Sequence, residues 1–123
     1  LRLDLAHRVH LPGFIADPAV AIGLFDVFAL SSESEQFPIS VVEAMAAGLP
    51  VAAPDVGDVA VMVAAANRGY VTPAGDEAAL ARAIAGLAGD ARLREALGAA
   101  NRAKARAEYD AATMIAAYRT VYA

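Results

Sequence analysis

Three observations predict an α/β fold: a parallel sheet of about four strands with flanking helices, continued by further helices at the C-terminal end. Through residue 72, short apolar runs alternate with helical patterns, and helices of that length between strands imply crossovers within a parallel sheet. From residue 76 onward the pattern is helical throughout. The 123 residues amount to one domain, with no linker to divide them and no internal repeat.

The elements follow in order. Arg8-Val9-His10-Leu11 reads as a short strand closed by the turn signal Pro12-Gly13. Asp17 is placed to N-cap a helix that starts on Pro18 and runs to about Leu24. Asp26 to Leu30 is a compact buried strand, ending in the polar run Ser31-Ser32-Glu33-Ser34-Glu35. A helix from Pro38 to Ala47 ends on Gly48 as its C′ residue. Pro50 to Ala53 is the third strand, Val59 to Ala66 a short helix, and Gly69 to Thr72 the last strand. Asp76 caps a helix whose Leu80, Ile84 and Leu87 share one face, with Gly86 and Gly89 marking its end. Asp90 caps the next, which carries Leu93 and Leu97 and runs into Arg102, Lys104 and Arg106. Asp110 opens the last helix, where Met114, Ile115, Tyr118 and Val121 form a stripe.

Composition removes several classes of function. At 59% hydrophobic and 20% charged residues the chain is not a disordered tail, and about 33 alanines suit close helix packing. No apolar run approaches the ~18–20 residues of a membrane span, and a secretory leader pattern is lacking. With no cysteine there is no disulfide scaffold, thiol catalysis or cysteine-bound zinc; neither a metal centre nor a bound cofactor is expected. A net charge of −4 argues against nucleic acid as a partner. The expected setting is the cytoplasm, with peripheral association at the inner face of the membrane as a second reading of Arg102, Lys104 and Arg106; the first reading of that cluster is a solvated helix face. Residues 1–66 carry a net −6 and residues 67–123 a net +2, so an anion held by the first half must rely on backbone dipoles, a metal, or groups outside this chain.

Residues 31–58 are the chemically informative stretch. A buried strand leads through a polar loop into a helix, with Glu35 and Glu43 eight residues apart. The start of that helix exposes unpaired N–H groups, those of Ile39 and Ser40 included, and these with the helix dipole make a seat for a phosphate or diphosphate. Pro38 presets the first turn without adding a donor. Helical side chains lean toward the N-terminus, so Glu43 reaches the ligand zone, which Glu35 faces from the loop. Carboxylates beside a phosphate repel it and are better aimed at neutral hydroxyls, so the constellation suits a ligand with sugar hydroxyls on both sides of a diphosphate. The bland alternative is a solvated loop before an ordinary amphipathic helix.

Glu35, seven residues, then Glu43-Ala44-Met45-Ala46-Ala47-Gly48-Leu49-Pro50-Val51, followed by Asp55-Val56-Gly57, resembles the donor-binding signature of the group 1 (family 4) retaining glycosyltransferases. Val9-His10-Leu11-Pro12-Gly13-Phe14 is similar to the strand and turn before that family's nucleobase pocket, and Asn67-Arg68-Gly69-Tyr70-Val71 with Pro73 to Asp76 to its later strand and helix start. The resemblance implies the back half of a Rossmann-like C-terminal domain of the GT-B fold. Residues 1–123 would then be a partial nucleotide-sugar-binding domain. By the same resemblance Glu35, the catalytic candidate, contacts the donor sugar beside the reacting carbon, and Glu43 accepts the ribose hydroxyls. The backbone of Phe37, Pro38, Ile39 and Ser40 meets the diphosphate, and Phe14 and Ile15 border the base.

The implied partners are a nucleotide-sugar donor and a glycan, lipid-linked or small-molecule acceptor. The family's diphosphate-clamping Arg and Lys, with its acceptor domain, match nothing in residues 1–123, so they are expected in an upstream half and this segment alone is expected to be inactive. The sequence departs from the pattern at Pro38, where the family usually has glycine, and at Val61, where a glutamate is common. Two alternatives stay open, a non-catalytic nucleotide- or partner-binding unit and a sugar-nucleotide epimerase. Of the other polar residues, His7, His10 and Glu33 read as structural or solvated, and Asp55 and Asp58 as loop caps. Tyr109, Tyr118 and Tyr122 read as packing the last helix against the upstream half.

Overall fold

In the computed structural model, which describes residues 4–122, three strands form a parallel sheet: β1 (Phe28–Ala29), β2 (Val51–Pro54) and β3 (Val71–Thr72), in that spatial order. Phe28 pairs with Val51 and Ala29 with Ala52, then Ala53 with Val71 and Pro54 with Thr72. The helices are α1 (Pro18–Ile22), α2 (Ile39–Ala46), α3 (Val59–Met62), α4 (Glu77–Gly89), α5 (Ala91–Glu108) and α6 (Ala111–Tyr122), with a 3₁₀ segment at Ala65–Tyr70.

The central strand explains the layering. All four residues of β2 are buried, as a parallel strand covered on both faces requires. Its side chains alternate: Val51 and Ala53 join Val41, Ala44, Met45, Val59 and Met62 of α2 and α3 on one face, and Ala52 joins Ala83 and Leu87 of α4 and Leu97 of α5 on the other. The long α5 serves both clusters, through Leu97 and Ala105. It crosses the turn after α2 at Gly98, where an added Cβ would lie 2.0 Å from the Gly48 carbonyl oxygen, so the two backbones touch directly.

Caps close where side-chain chemistry predicts them. Asp76 accepts from the Ala79 N–H at 2.8 Å and Asp90 from the Leu93 N–H at 3.0 Å. Gly48, at φ +80°, completes the C-terminal turn of α2, with Gly48 N–H on the Met45 carbonyl and Leu49 N–H on that of Ala44. Asp17 precedes α1 as expected, but its side chain makes no capping bond. Asp90→Ala is expected to lower stability by ~1 kcal/mol, read as a shift of the urea midpoint at constant slope, whereas Asp90→Ser should retain most of it.

Among the described residues the sheet has three strands rather than about four. Residues 4–17 hold no regular structure and every one is exposed, so the strand expected at Arg8 to Leu11 does not form. An extended run becomes a strand only when a neighbouring backbone takes its N–H and C=O groups. Here the bonds are local, with the N–H groups of Arg8 and Val9 both on the Leu5 carbonyl, and among the described residues β1 pairs with β2 alone. The helix expected over Val59 to Ala66 stops at Met62. Val63 turns extended (ψ 155°), and the 3₁₀ segment takes up Gly69 and Tyr70, which were expected in the last strand.

The reason for that break is a buried amide. Asn67 accepts from the Val51 N–H on its Oδ1 at 2.9 Å and donates from its Nδ2 to the Val51 carbonyl at 2.7 Å, so one side chain serves β2 as a neighbouring strand would. Asn101 of α5 accepts from the Ala64 N–H (3.0 Å) and donates to the Leu49 carbonyl and to Asn67 Oδ1 (both 2.9 Å). Both asparagines are fully buried, and among the described residues no buried side-chain polar atom lacks a partner.

The basic stretch of α5 is not simply a solvated face. Arg102 donates to the Ala47 carbonyl at the end of α2 (2.8 Å), and Lys104 to the carbonyls of Val61 and Val63 at the end of α3. Cations there satisfy orphan helix carbonyls and meet the negative dipole end. α6 buries no residue; Tyr118 stacks on Tyr122 with ring centroids 6.3 Å apart. Tyr109 packs elsewhere, against the loop described next.

Candidate functional site

Because the strands are parallel, the loops that follow all three emerge at one edge of the sheet, the edge at which open α/β sheets bind ligands. A cleft of ≈ 340 Å³ lies there, lined by Ser31, Ser32 and Glu33 after β1, Pro54 of β2, and Asp76 and Glu77 at the head of α4. Glu33 therefore lines a cleft, whereas Glu35 and Glu43 belong to the head of α2 beside it.

The head of α2 is built from residues 35 to 43. Pro38 is buried as the N-cap rather than the first helical residue, and its carbonyl accepts the Val41 N–H at 3.0 Å. Pro38 lacks an N–H in either position. The N–H groups of Ile39 and Ser40 have no hydrogen-bond partner among the described residues, and the acceptors that could have capped them are absent, since the N-cap is a proline. Val41, Ala44 and Met45 face the core. Glu43 therefore lies on the outward side, one turn beyond the exposed Ile39 and leaning toward the helix start.

Glu35 and Gln36 are held by the loop after β2. The Asp58 N–H donates to the Gln36 carbonyl at 2.8 Å, and Gly57 (φ +53°) lies so close that an added Cβ would be 2.5 Å from the Glu35 carbonyl oxygen and 2.4 Å from that of Gln36. Asp55 and Asp58, expected as loop caps, act through their backbones; Asp55 donates its N–H to the Thr72 carbonyl at 2.7 Å. On the far side the ring of Tyr109 meets Phe37 edge-on. The Tyr109 hydroxyl donates to the Met62 carbonyl at 3.4 Å. Burial raises the Tyr109 pKa above the usual phenol value, and the negative charges of Glu108 and Asp58 push it the same way, so the hydroxyl remains a donor.

The structure thus brings Glu35, Phe37, Pro38, Ile39, Ser40 and Glu43 together at one helix start. Phe14 and Ile15 are on the separate irregular segment, where Phe14 is 94% exposed. His7 accepts from the Arg8 Nε, an exposed local pairing. Sequence reasoning missed two supports of the loop, Gly57 as a contact and Tyr109. A glycine flanked by aspartates after a strand was the available signal for the first; nothing in the local sequence around Tyr109 points to Phe37, 72 positions away.

Chemically, this arrangement can receive an anion on two N–H groups without partners, with Glu35 in the preceding loop, Glu43 one turn on, and no basic side chain from its own elements. The family described as "Glycosyl transferases group 1" matches residues 1–104. The chain belongs to the group 1 glycosyl transferases. As a group 1 glycosyl transferase it is similar to a phosphatidyl-myo-inositol mannosyltransferase of Mycobacterium leprae, at 39% identity over 108 residues, covering 87% of this chain and 29% of that protein. It is also similar to an N-acetyl-α-D-glucosaminyl L-malate synthase of Bacillus anthracis, at 27% identity over 120 residues, covering 98% of this chain and 32% of the relative. Among solved structures, a sucrose-phosphate synthase from Thermosynechococcus elongatus superposes with a TM-score of 0.72 at 31% identity, over 84% of this chain and 27% of that one. That likeness supports an α/β unit of the GT-B type. The chain spans less than a third of the length of each of these proteins. Among the described residues no helix is long and apolar enough to cross a membrane.

Proposed function

We propose that this segment is the donor-binding part of a retaining, nucleotide-sugar-dependent glycosyltransferase of the family 4 kind. The observation that carries the reading is the head of α2, where two backbone donors without partners open at the ligand edge of the sheet, with Glu35 before them in the loop and Glu43 after them in the helix. The diphosphate rests against the N–H groups of Ile39 and Ser40, where the positive end of the helix dipole favours it. Glu43 accepts the ribose hydroxyls, Glu35 orients the transferred sugar beside its anomeric carbon, and Phe14 and Ile15 border the base. Charge grows on the leaving diphosphate as the glycosidic bond breaks. Preorganised N–H donors therefore hold the transition state more tightly than the ground state. With so few basic residues in its own first half, the segment calls for cations from the upstream part of a longer polypeptide, which also supplies the acceptor surface.

The relatives are named for phosphatidyl-myo-inositol mannosyl transfer, an L-malate product and sucrose phosphate, which supports a hydroxyl acceptor of lipid-linked or small-molecule kind. The test is calorimetry of the full polypeptide against a panel of nucleoside-diphosphate sugars. Glu43→Ala is expected to weaken donor binding about 10- to 100-fold, the worth of hydrogen bonds to a charged acceptor. Glu35→Ala is expected to lower turnover mainly, by about 10²-fold or more, with donor affinity little changed. A product anomer matching the donor's, read by NMR, supports retention. Absence of binding to every donor, or a Glu43→Ala protein that binds as well as the parent, would remove the proposal.

A further inference from the structure

We propose that Tyr109 is a positioning residue for the donor-binding loop, holding Phe37, and through it the head of α2, in the arrangement that receives the diphosphate; this rests on the function proposed above. The rings meet edge-to-face with centroids 5.6 Å apart and planes at 77°, the geometry favoured by the aromatic quadrupole. Tyr109 is itself well anchored. It ends α5 with its N–H on the Ala105 carbonyl at 2.9 Å, its hydroxyl reaches the Met62 carbonyl at the end of α3, and its ring packs on the main core cluster.

Phe37, by contrast, is 45% exposed and stands directly before Pro38. A residue before proline has a restricted backbone, and proline fixes its own φ, so a displacement of Phe37 passes to the N–H groups of Ile39 and Ser40. The loop is then gripped from two sides, by the Asp58 N–H on the Gln36 carbonyl and by Tyr109 on Phe37. Pre-setting those donors removes an ordering cost from binding.

The experiment compares Tyr109→Leu and Tyr109→Phe in the full polypeptide. Its readouts are nucleoside-diphosphate affinity by calorimetry, kcat and KM for donor and acceptor, and deuterium exchange resolved to the peptide 33–41. Tyr109→Leu is expected to weaken diphosphate binding about three- to tenfold, the worth of one aromatic pair. It should speed exchange in 33–41 selectively and leave the acceptor KM unchanged. Tyr109→Phe, which keeps the ring, should restore both within about twofold. Three results would overturn the inference: donor affinity unchanged in Tyr109→Leu, exchange raised uniformly across the protein, or Tyr109→Phe as impaired as Tyr109→Leu. If Tyr109→Leu does not fold, Phe37→Leu probes the same contact from its exposed side, and unchanged exchange in 33–41 would count equally against it. Glu43→Ala in the same series separates the two readings. A parent that binds no nucleoside diphosphate overturns both, whereas loss in Glu43→Ala with full binding in Tyr109→Leu overturns this one alone.

Discussion

Replacing Asn101 by leucine is expected to destabilise the fold by ~3–5 kcal/mol, a large part of the ~5–15 kcal/mol that holds a typical domain together. Leucine matches asparagine in shape, so the loss isolates hydrogen bonding from volume. The Ala64 N–H and the Leu49 carbonyl would be left without partners in a fully buried site, each at a cost of roughly 1–3 kcal/mol. Those two groups lie where α3 gives way to the 3₁₀ segment and where the chain enters β2, so the damage reaches the centre of the sheet. Asn67→Leu should do comparable harm by stripping both backbone bonds from Val51. Because the two amides share a bond of 2.9 Å, the double replacement should cost less than the sum of the singles. Equilibrium urea unfolding of the four proteins checks this. A loss below ~1 kcal/mol for Asn101→Leu would mean that the network contributes little beyond shape.

That network also marks the boundary of what the sequence reveals about the fold. Strands within Asp26 to Leu30 and around Pro50 to Ala53, the aspartate caps at residues 76 and 90, and Gly48 as the end of α2 are legible because each rests on local chemistry: an apolar run, a carboxylate within reach of an N–H, a φ near +80°. The first was expected as a buried strand over all five residues, but β1 is only Phe28–Ala29 and neither residue is buried, because among the described residues it has a neighbouring strand on one side alone. The short α3 and the displaced start of β3 are not legible. Asn67 reads locally as an unremarkable polar residue between a short helix and the last strand, yet its partner Val51 lies 16 residues before it and Asn101 34 residues after it. The absent strand at residues 8–11 fails for a related reason. Alternation of Val9 and Leu11 states a capacity to pair but not which edge will accept the pairing. Arg102 and Lys104 read as solvated charge because a sequence does not show which helix ends lie beneath them.

The candidate site divides along the same line. Glu35, Ile39, Ser40 and Glu43 are legible together because a loop and the first turns of one helix keep sequence neighbours close in space. What holds that loop comes from the turn after β2, whose only sequence signal is a glycine between aspartates, and from the end of α5, which leaves no local trace. The site is thus a local motif with non-local supports, and the supports are where single substitutions should separate folding from function.

On the function proposed above, Gly57→Ala in the full polypeptide is expected to be the sharpest of these, cutting sugar transfer by about 10²-fold while the domain stays folded, because a displacement of about 1 Å in a positioning element can cost that much. The new Cβ would stand 2.4 Å from the Gln36 carbonyl oxygen, 2.5 Å from that of Glu35 and 2.8 Å from the Glu35 carbonyl carbon, where real Cβ contacts essentially never fall below 3.0 Å. All three atoms are backbone, so no side chain can swing aside; one of the two loops must move. The core beneath is not the weaker party, since Val56 and Val59 on either side are buried in the main cluster and β2 is covered on both faces. The loop bearing Glu35 is the more exposed of the two and gives way first, taking the Asp58 N–H bond to Gln36 with it. The φ of +53° adds strain for any residue but glycine. Stability should fall by only about 1–3 kcal/mol, as for other small-to-large changes at packed sites, so the variant is expected to retain its circular dichroism spectrum while losing turnover. The proposed geometry also predicts that Glu35→Ala adds little further loss in the Gly57→Ala background, because both act on the same carboxylate's placement. Full activity in Gly57→Ala, or independent effects of the two substitutions, would show that the conformation of residues 35 and 36 does not govern transfer.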